Sequence, residues 1–247
     1  MNVLINGING KMGHVLLEEI NKLDNMTVVA GVSNSSSELN IPVYTDPKDI
    51  KEDIDVIIDF STVEGALNIL KYASNKKIPT VIATTGFNKE EQNKILEYSK
   101  TIPVFQSSNM SFEINIMCDI VAKLAKQLTN SDIEIVETHH RNKVDAPSGT
   151  ALMLANSINE NNEYDYMYDR HSVKQKRKDK EIGIHSIRGG TEVGKHTVYF
   201  FGDNESFEIT HTVNSRSIFA KGAIKAALFL VNKKDGFYNM KDLVKED

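Results

Sequence analysis

Apolar residues in the first hundred positions fall into two alternating patterns. Short runs at Val3-Leu4-Ile5, Met26 to Val32, Asp55 to Phe60, Thr80 to Ala83 and Ile102 to Phe105 are too brief for helices. They read as strands of a parallel sheet buried on both faces. Between them Val15, Leu16 and Ile20, then Val63 to Tyr72, then Lys89 to Lys100 follow helical spacing. Strand and helix in regular alternation predict an α/β, Rossmann-type doubly wound parallel sheet.

Past Asn109 that alternation stops. Phe112 to Leu128 predicts a helix, Asp132 to Glu137 alternates as a strand, and Ser148 to Ile158 predicts a second helix. A polar connection covers Asn159 to Lys180. Ile182 to Ile187, Lys195 to Phe201 and Ser206 to Val213 then read as strands, the last two joined by the turn Gly202-Asp203-Asn204-Glu205. Strands on short turns predict a separate α+β domain with a mixed, open sheet, one face of which is available for self-association. Ser217 to Val231 is again helical.

Composition narrows the class. The chain has 247 residues, 40% hydrophobic and 26% charged, an ordinary globular balance with room for a real core. A net charge of −5 disfavours broad contact with nucleic acid or acidic membranes. The basic run Lys174 to Lys180 lacks interleaved aromatics and is expected to be a solvated loop. One cysteine, Cys118, forbids an internal disulfide and fits a reducing cytoplasm; its apolar surroundings predict a buried small hydrophobe. No secretory signal and no 18-residue uncharged apolar run is visible, so a cytoplasmic protein is expected. The seven histidines show no pairing at metal-ligand spacing, and no metal is expected.

The first candidate site follows the first strand. Asn6-Gly7-Ile8-Asn9-Gly10-Lys11-Met12-Gly13 joins strand to helix, the context a dinucleotide-binding turn requires. Asn9 stands where the usual G-x-G-x-x-G has its second glycine, and asparagine tolerates left-handed backbone. Gly7, Ile8, Asn9, Gly10, Lys11 and Met12 are therefore expected at a cofactor. The loops Ser61-Thr62, Ala83-Thr84-Thr85 and Ser107-Ser108-Asn109-Met110 lie at strand carboxyl ends, where such sheets bind ligands. After the second strand, Ser33-Asn34-Ser35-Ser36 offers neither an acid for a ribose hydroxyl nor an arginine for a 2′-phosphate. Use of both NADPH and NADH is expected, with NADPH mildly favoured.

The second candidate site is Glu137 to Ala151. Adjacent imidazoles at His139 and His140, cations at Arg141 and Lys143, and a helix start at Pro147-Ser148-Gly149-Thr150 lie within fifteen residues. Free N–H groups and the positive macrodipole end of a helix suit a carboxylate or phosphate. The combination points to a small, multiply anionic substrate that must be protonated.

This stretch closely resembles the signature E-x-H-H-x-x-K-x-D-A-P-S-G-T-A of the 4-hydroxy-tetrahydrodipicolinate (dihydrodipicolinate) reductase family, matched throughout residues 137–151. The family's loop G-x-x-G-x-M-G is met by Gly7, Gly10, Met12 and Gly13, and the likeness extends to Thr84-Thr85-Gly86-Phe87. The resemblance implies NAD(P)H-dependent reduction of 4-hydroxy-tetrahydrodipicolinate to tetrahydrodipicolinate, on the diaminopimelate route to lysine. It implies His139 and Lys143 as acid candidates, with the final donor open between them. It implies substrate binding by His140, Ser148, Gly149 and Thr150, with Arg216 as a further cation. Ala83 to Thr85 and Ser107 to Met110 are implied to line the nicotinamide side. The resemblance also implies a homotetramer built through the second sheet, and a helix after Ser217 that returns to the first domain. That gives a discontinuous dinucleotide domain, 1–108 with 217–247, and a substrate and tetramerisation domain, 109–216. Two alternatives stay open: a two-domain dehydrogenase of another amino or hydroxy diacid, and a regulator that senses NAD(P)H without turnover.

Overall fold

The computed structural model describes residues 1–246 and divides into two compact units, Met1–Phe112 with Arg216–Asp247, and Glu113–Ser215. The first unit begins with β1 (Asn2–Asn6), α1 (Lys11–Ile20), β2 (Thr27–Val32), β3 (Val43–Tyr44), β4 (Val56–Asp59), α2 (Val63–Lys76), β5 (Thr80–Ile82), α3 (Lys89–Ser99) and β6 (Pro103–Gln106). Local chemistry sets the helix ends. Thr62 accepts from the Gly65 amide to start α2, Lys77 ends it in left-handed backbone (φ 61°), and Asn88 with Glu91 forms a reciprocal capping box on α3.

The second unit contains α4 (Phe112–Gln127), β7 (Asp132–His139), α5 (Gly149–Ile158), β8 (Asp165–Met167), α6 (Arg170–Val173), β9 (Glu181–Arg188), β10 (Gly194–Phe201) and β11 (Ser206–Val213). Its sheet runs β11-β10-β7-β9-β8. β7 is parallel to β9 and antiparallel to β10, so the sheet is mixed. Ile133, Ile135, Ile182, Ile184, Val198 and Phe200 pack against Ile114, Met117, Val121, Leu154 and Ala155 of α4 and α5. Cys118 is buried in that core. On the opposite face, Tyr199 stacks on Phe201 (centroids 5.4 Å), and Phe201 and Ile187 are substantially exposed.

The chain then returns to the first unit through α7 (Ser217–Leu230), β12 (Gly236–Tyr238) and α8 (Met240–Glu246). The completed parallel sheet has the order β12-β6-β5-β4-β1-β2-β3. Ala220, Ala223, Ala226, Ala227 and Leu230 of α7 share a core with Val3, Ile5, Val81 and Phe105. Gly222 permits this seating, because a Cβ there would collide with the Met110 carbonyl.

Three features differ from the sequence expectation. β3, β8, α6, β12 and α8 were not foreseen, since elements of two to seven residues leave almost no periodicity to read. β7 runs two residues past Glu137 because Thr138 and His139 pair with Lys195 of β10 and Ile187 and Arg188 of β9. The basic run is largely exposed, but Arg177 is pinned by Asp132, Glu134 and the carbonyls of Ile133 and Glu181.

Candidate active site

In the first unit, β1 ends at Asn6 and Gly7 turns the chain with φ 84°. A side chain at Gly7 is excluded twice, by that dihedral and because a Cβ would lie 2.6 Å from the Phe60 carbonyl oxygen. The Gly10 amide donates to the Gly7 carbonyl (2.9 Å), and α1 begins with no side-chain cap. Its first amides and positive macrodipole end suit a pyrophosphate, so the turn fits a dinucleotide. Gly7, Gly10, Ser33 and Asn34 line a cleft of about 540 Å³ together with Ser35, Phe60 and Ser61. Lys11, Met12, Ala83, Thr84 and Thr85 line a second of about 440 Å³, sharing Phe60, Ser61 and Thr62 with the first.

The floor of these clefts is a buried polar knot. Asp59 is fully buried, and its Oδ1 accepts from Asn6 Nδ2 (2.7 Å) and Ser61 Oγ (2.5 Å). Ser61 N–H in turn donates to Thr84 Oγ1 (3.0 Å). Burial pushes the Asp59 carboxyl up, against hydrogen bonds from Ser61, Thr84 and Asn6. The knot ties the ends of β1, β4 and β5 to one another.

In the second unit, strand alternation puts Glu137 and His139 on the helix-covered side of β7. Glu137 is fully buried, and four contacts from three residues converge on it. His139 Nδ1 lies 2.5 Å from Oε2; Arg188 donates to both oxygens (2.8 and 2.7 Å); the Ser148 amide, at the head of α5, donates to Oε1 (3.2 Å). Burial raises the Glu137 pKa, but the bonds from Arg188, Ser186 and His139 outweigh it and hold the carboxyl at about 2. Glu137 is therefore a carboxylate at neutral pH.

An ionised Glu137 fixes the His139 tautomer. Nδ1 carries the proton toward the carboxylate, which leaves Nε2 as the working nitrogen. Burial lowers the His139 pKa, Glu137 partly restores it, and Lys143 and Arg188 lower it further. Gly194 leaves room beside that nitrogen, since a Cβ there would stand 3.1 Å from Nε2. Lys143 follows in a turn (its amide to the His140 carbonyl, 3.1 Å), with Nζ 2.9 Å from Asp145. Ser148 caps α5, accepting from the Ala151 amide (3.1 Å).

The structure gathers His139, Lys143, Ser148, Gly149 and Thr150 in the second unit, with His140 next along the strand end. A Cβ on Gly149 would meet nothing within 4 Å, so nothing in the fold requires glycine there. Arg216 lies in the first unit, exposed, at the head of α7. Ile8 and Met110 turn into the core. Asn9 binds protein: its Nδ2 donates to Ser35 Oγ and to the carbonyls of Ser35 and Ser36 (3.0–3.1 Å), and Ser37 Oγ donates to its Oδ1 (3.0 Å). Ser107, Ser108 and Asn109 form a tight turn, with Ser107 Oγ donating to the Asn109 carbonyl (2.7 Å).

Sequence reasoning missed Arg188 and His196. Arg188 had only the strand pattern around it. His196 was weighed solely as a metal ligand; a histidine at an inward-facing strand position, opposite an acid two residues before a histidine pair, was the available signal. No metal-binding group of His, Cys, Asp and Glu is found among the described residues, and no described helix is long and apolar enough to cross a membrane.

Comparison with known proteins agrees over the full length. Residues 1–110 match the family model described as dihydrodipicolinate reductase, N-terminus, and residues 113–244 that described as dihydrodipicolinate reductase, C-terminus. A protein of Caldanaerobacter subterraneus subsp. tengcongensis named 4-hydroxy-tetrahydrodipicolinate reductase is 49% identical, with 100% of this chain and 99% of that protein aligned. One of the same name from Clostridium novyi is 42% identical, with 98% of each covered. Among solved structures, dipicolinate-bound dihydrodipicolinate reductase from Paenisporosarcina sp. TG-14 superposes with a TM-score of 0.83 at 23% identity, covering 98% of each chain.

Proposed function

The chain belongs to the dihydrodipicolinate reductase family of NAD(P)H-dependent oxidoreductases, and from that premise we propose that it reduces 4-hydroxy-tetrahydrodipicolinate to tetrahydrodipicolinate. One observation carries the reading to this site. The buried Glu137 joins a histidine able to shuttle a proton to the start of a helix able to hold a carboxylate. The net reaction takes a hydride and a proton into the substrate and releases its 4-hydroxyl as water. NAD(P)H, when bound, supplies the hydride.

The remaining chemistry belongs to this chain's residues. Ser148, Gly149 and Thr150 hold one carboxylate at the α5 N-terminus, and His140 and Lys143 add donors and charge. Hydride addition leaves electron density on the ring that needs a proton, and His139 Nε2 or Lys143 Nζ delivers it. A dianionic substrate favours protonated His139, offsetting the burial that lowers its pKa in the free enzyme. Gly7, Gly10, Lys11 and Met12, with Ser33 and Asn34, would hold the phosphates and adenosine ribose. Ala83 to Thr85 and Ser107 to Asn109 would flank the nicotinamide.

The cofactor preference follows from the loop after β2. Ser33, Asn34 and Ser35 bring no carboxylate to repel a 2′-phosphate and no arginine to select it. Both NADPH and NADH serve, NADPH mildly better; a hundredfold preference for NADH contradicts this. The exposed aromatic face of β10 supports a homotetramer, which light scattering of the purified protein tests. The setting is cytoplasmic biosynthesis.

The test is a coupled assay in which pyruvate and aspartate semialdehyde are condensed by a dihydrodipicolinate synthase and NADPH or NADH absorbance is followed. Oxidation dependent on both the synthase and this protein supports the reading. Cofactor binding without oxidation moves the function to another diacid or to redox sensing.

A further inference from the structure

Beside Glu137 and His139 lies a histidine that the chemistry above does not use. His196, on β10, is 3% exposed and stands across the strand pair from Glu137. Its ring meets that of His139 edge to face, with centroids 5.1 Å apart. Its Nε2 is 2.9 Å from Ser148 Oγ, while its Nδ1 is buried with no hydrogen-bond partner among the described residues.

The proton count at Ser148 decides between two arrangements. A hydroxyl has one proton to donate and two lone pairs to accept with. One lone pair already takes the Ala151 amide of the α5 cap. With a bare His196 Nε2, the Ser148 proton is committed to the imidazole, and the proton on Nδ1 becomes an orphaned buried donor. With a protonated Nε2, the orphan is only a lone pair, and protein interiors leave acceptors unmet more readily than N–H donors. In that second arrangement both lone pairs of Ser148 are occupied. Its single unfilled valence is its own O–H.

We propose that His196 is a positioning residue that donates from Nε2 to Ser148 and so commits the Ser148 hydroxyl to donate to a substrate carboxylate at the start of α5. The inference rests on the reading of that helix start as the diacid site, and deepens it. A hydroxyl locked as a donor pairs only with an acceptor, so it can meet either oxygen of a carboxylate but not the NH₂ of the corresponding amide. Burial, reinforced by the nearby His139, pushes the His196 pKa down to about 4, so the ring stays neutral and the polarity of Ser148 does not invert near neutral pH.

The direct readout is the ring tautomer of His196 in the wild-type protein, by ¹⁵N NMR, with His196→Gln used for assignment. A proton on Nε2 is expected; a proton on Nδ1 overturns the proposal. Kinetics gives a second readout. His196→Leu frees the Ser148 hydroxyl to turn away from the carboxylate and should raise KM for the diacid roughly 10-fold, with NADPH affinity unchanged. His196→Gln, whose side-chain amide donates at comparable reach, should recover most of that loss. A wild-type KM in the Leu variant, or a Gln variant as impaired as Leu, overturns the role. Should the Leu variant fail to fold, the wild-type tautomer and the Gln variant still decide. Absence of diacid turnover by the wild type removes the functional reading and this inference together, whereas turnover with an Nδ1 proton removes this inference alone.

Discussion

At Glu137 a fully buried carboxylate meets a guanidinium, an imidazole and a backbone amide, and its ionisation decides what each of them does. Arg188 is the partner that keeps it charged. Arg188→Ala strands a buried negative charge, so unfolding measurements should show a loss of about 3–5 kcal/mol, whereas an exposed ion pair contributes about 1 kcal/mol or less. His139→Ala and Lys143→Ala should each lower kcat by roughly 10²–10⁴ with cofactor affinity intact, and wild-type kcat from either removes that residue's role. The pH profiles separate the two donors. Burial places the free-enzyme His139 pKa below the ordinary histidine value, and a bound dianion raises it. If His139 is the donor, the basic limb of kcat therefore lies at higher pH than that of kcat/KM, since kcat reports the substrate complex. Coincident limbs in that pH range assign the proton to Lys143. His139 stood out in the sequence because it sits within one contiguous motif, whereas Glu137, in the same motif, was given no role. Arg188 and His196 did not stand out, because only the pairing of β7 with β9 and β10 brings them there.

Among the elements, the helix starts are the proposed binding positions and the strands carry the geometry. Gly7→Ala forces a Cβ against the Phe60 carbonyl at positive φ, so it should weaken NADPH binding and lower the melting temperature together. Gly149→Ala behaves differently, because the space there is open. Its melting temperature should match or exceed the wild type while KM for the diacid rises; an unchanged KM removes Gly149 from the carboxylate site. The long alternating segments were readable because buried parallel strands are continuous hydrophobic runs. Asn9 was read as a glycine substitute tolerant of an unusual backbone. The structure gives it another task, tying the loop of Ser35 to Ser37 to the glycine turn, which a local motif cannot reveal.

For the molecule as a whole, the buried polar groups predict how stability responds to acid. Glu137 titrates at about 2 when folded and near 4.5 when exposed, so its contribution is full above pH 4.5 and lost as pH falls toward 2. His196 titrates at about 4 against an ordinary 6.5. The folded state resists its protonation, so stability is full above pH 6.5 and declines between 6.5 and 4. Each effect is on the order of 3 kcal/mol at its limit. The melting temperature should therefore start to fall below pH 6.5, above the window in which Glu137 titrates, and His196→Gln should flatten that first decline; an equal slope in both proteins contradicts it. The two-unit plan was legible as a change from βα alternation to clustered strands, whereas the exact crossings depend on packing around α4 and α7. The central claim is hydride transfer to this diacid, and the most direct measurement follows the hydride itself. NADPH deuterated at the transferring position is mixed with the synthase-generated substrate and this protein, and the product is weighed by mass spectrometry. Tetrahydrodipicolinate carrying one deuterium is the predicted result; product without deuterium, or no tetrahydrodipicolinate while NADPH still binds, contradicts it.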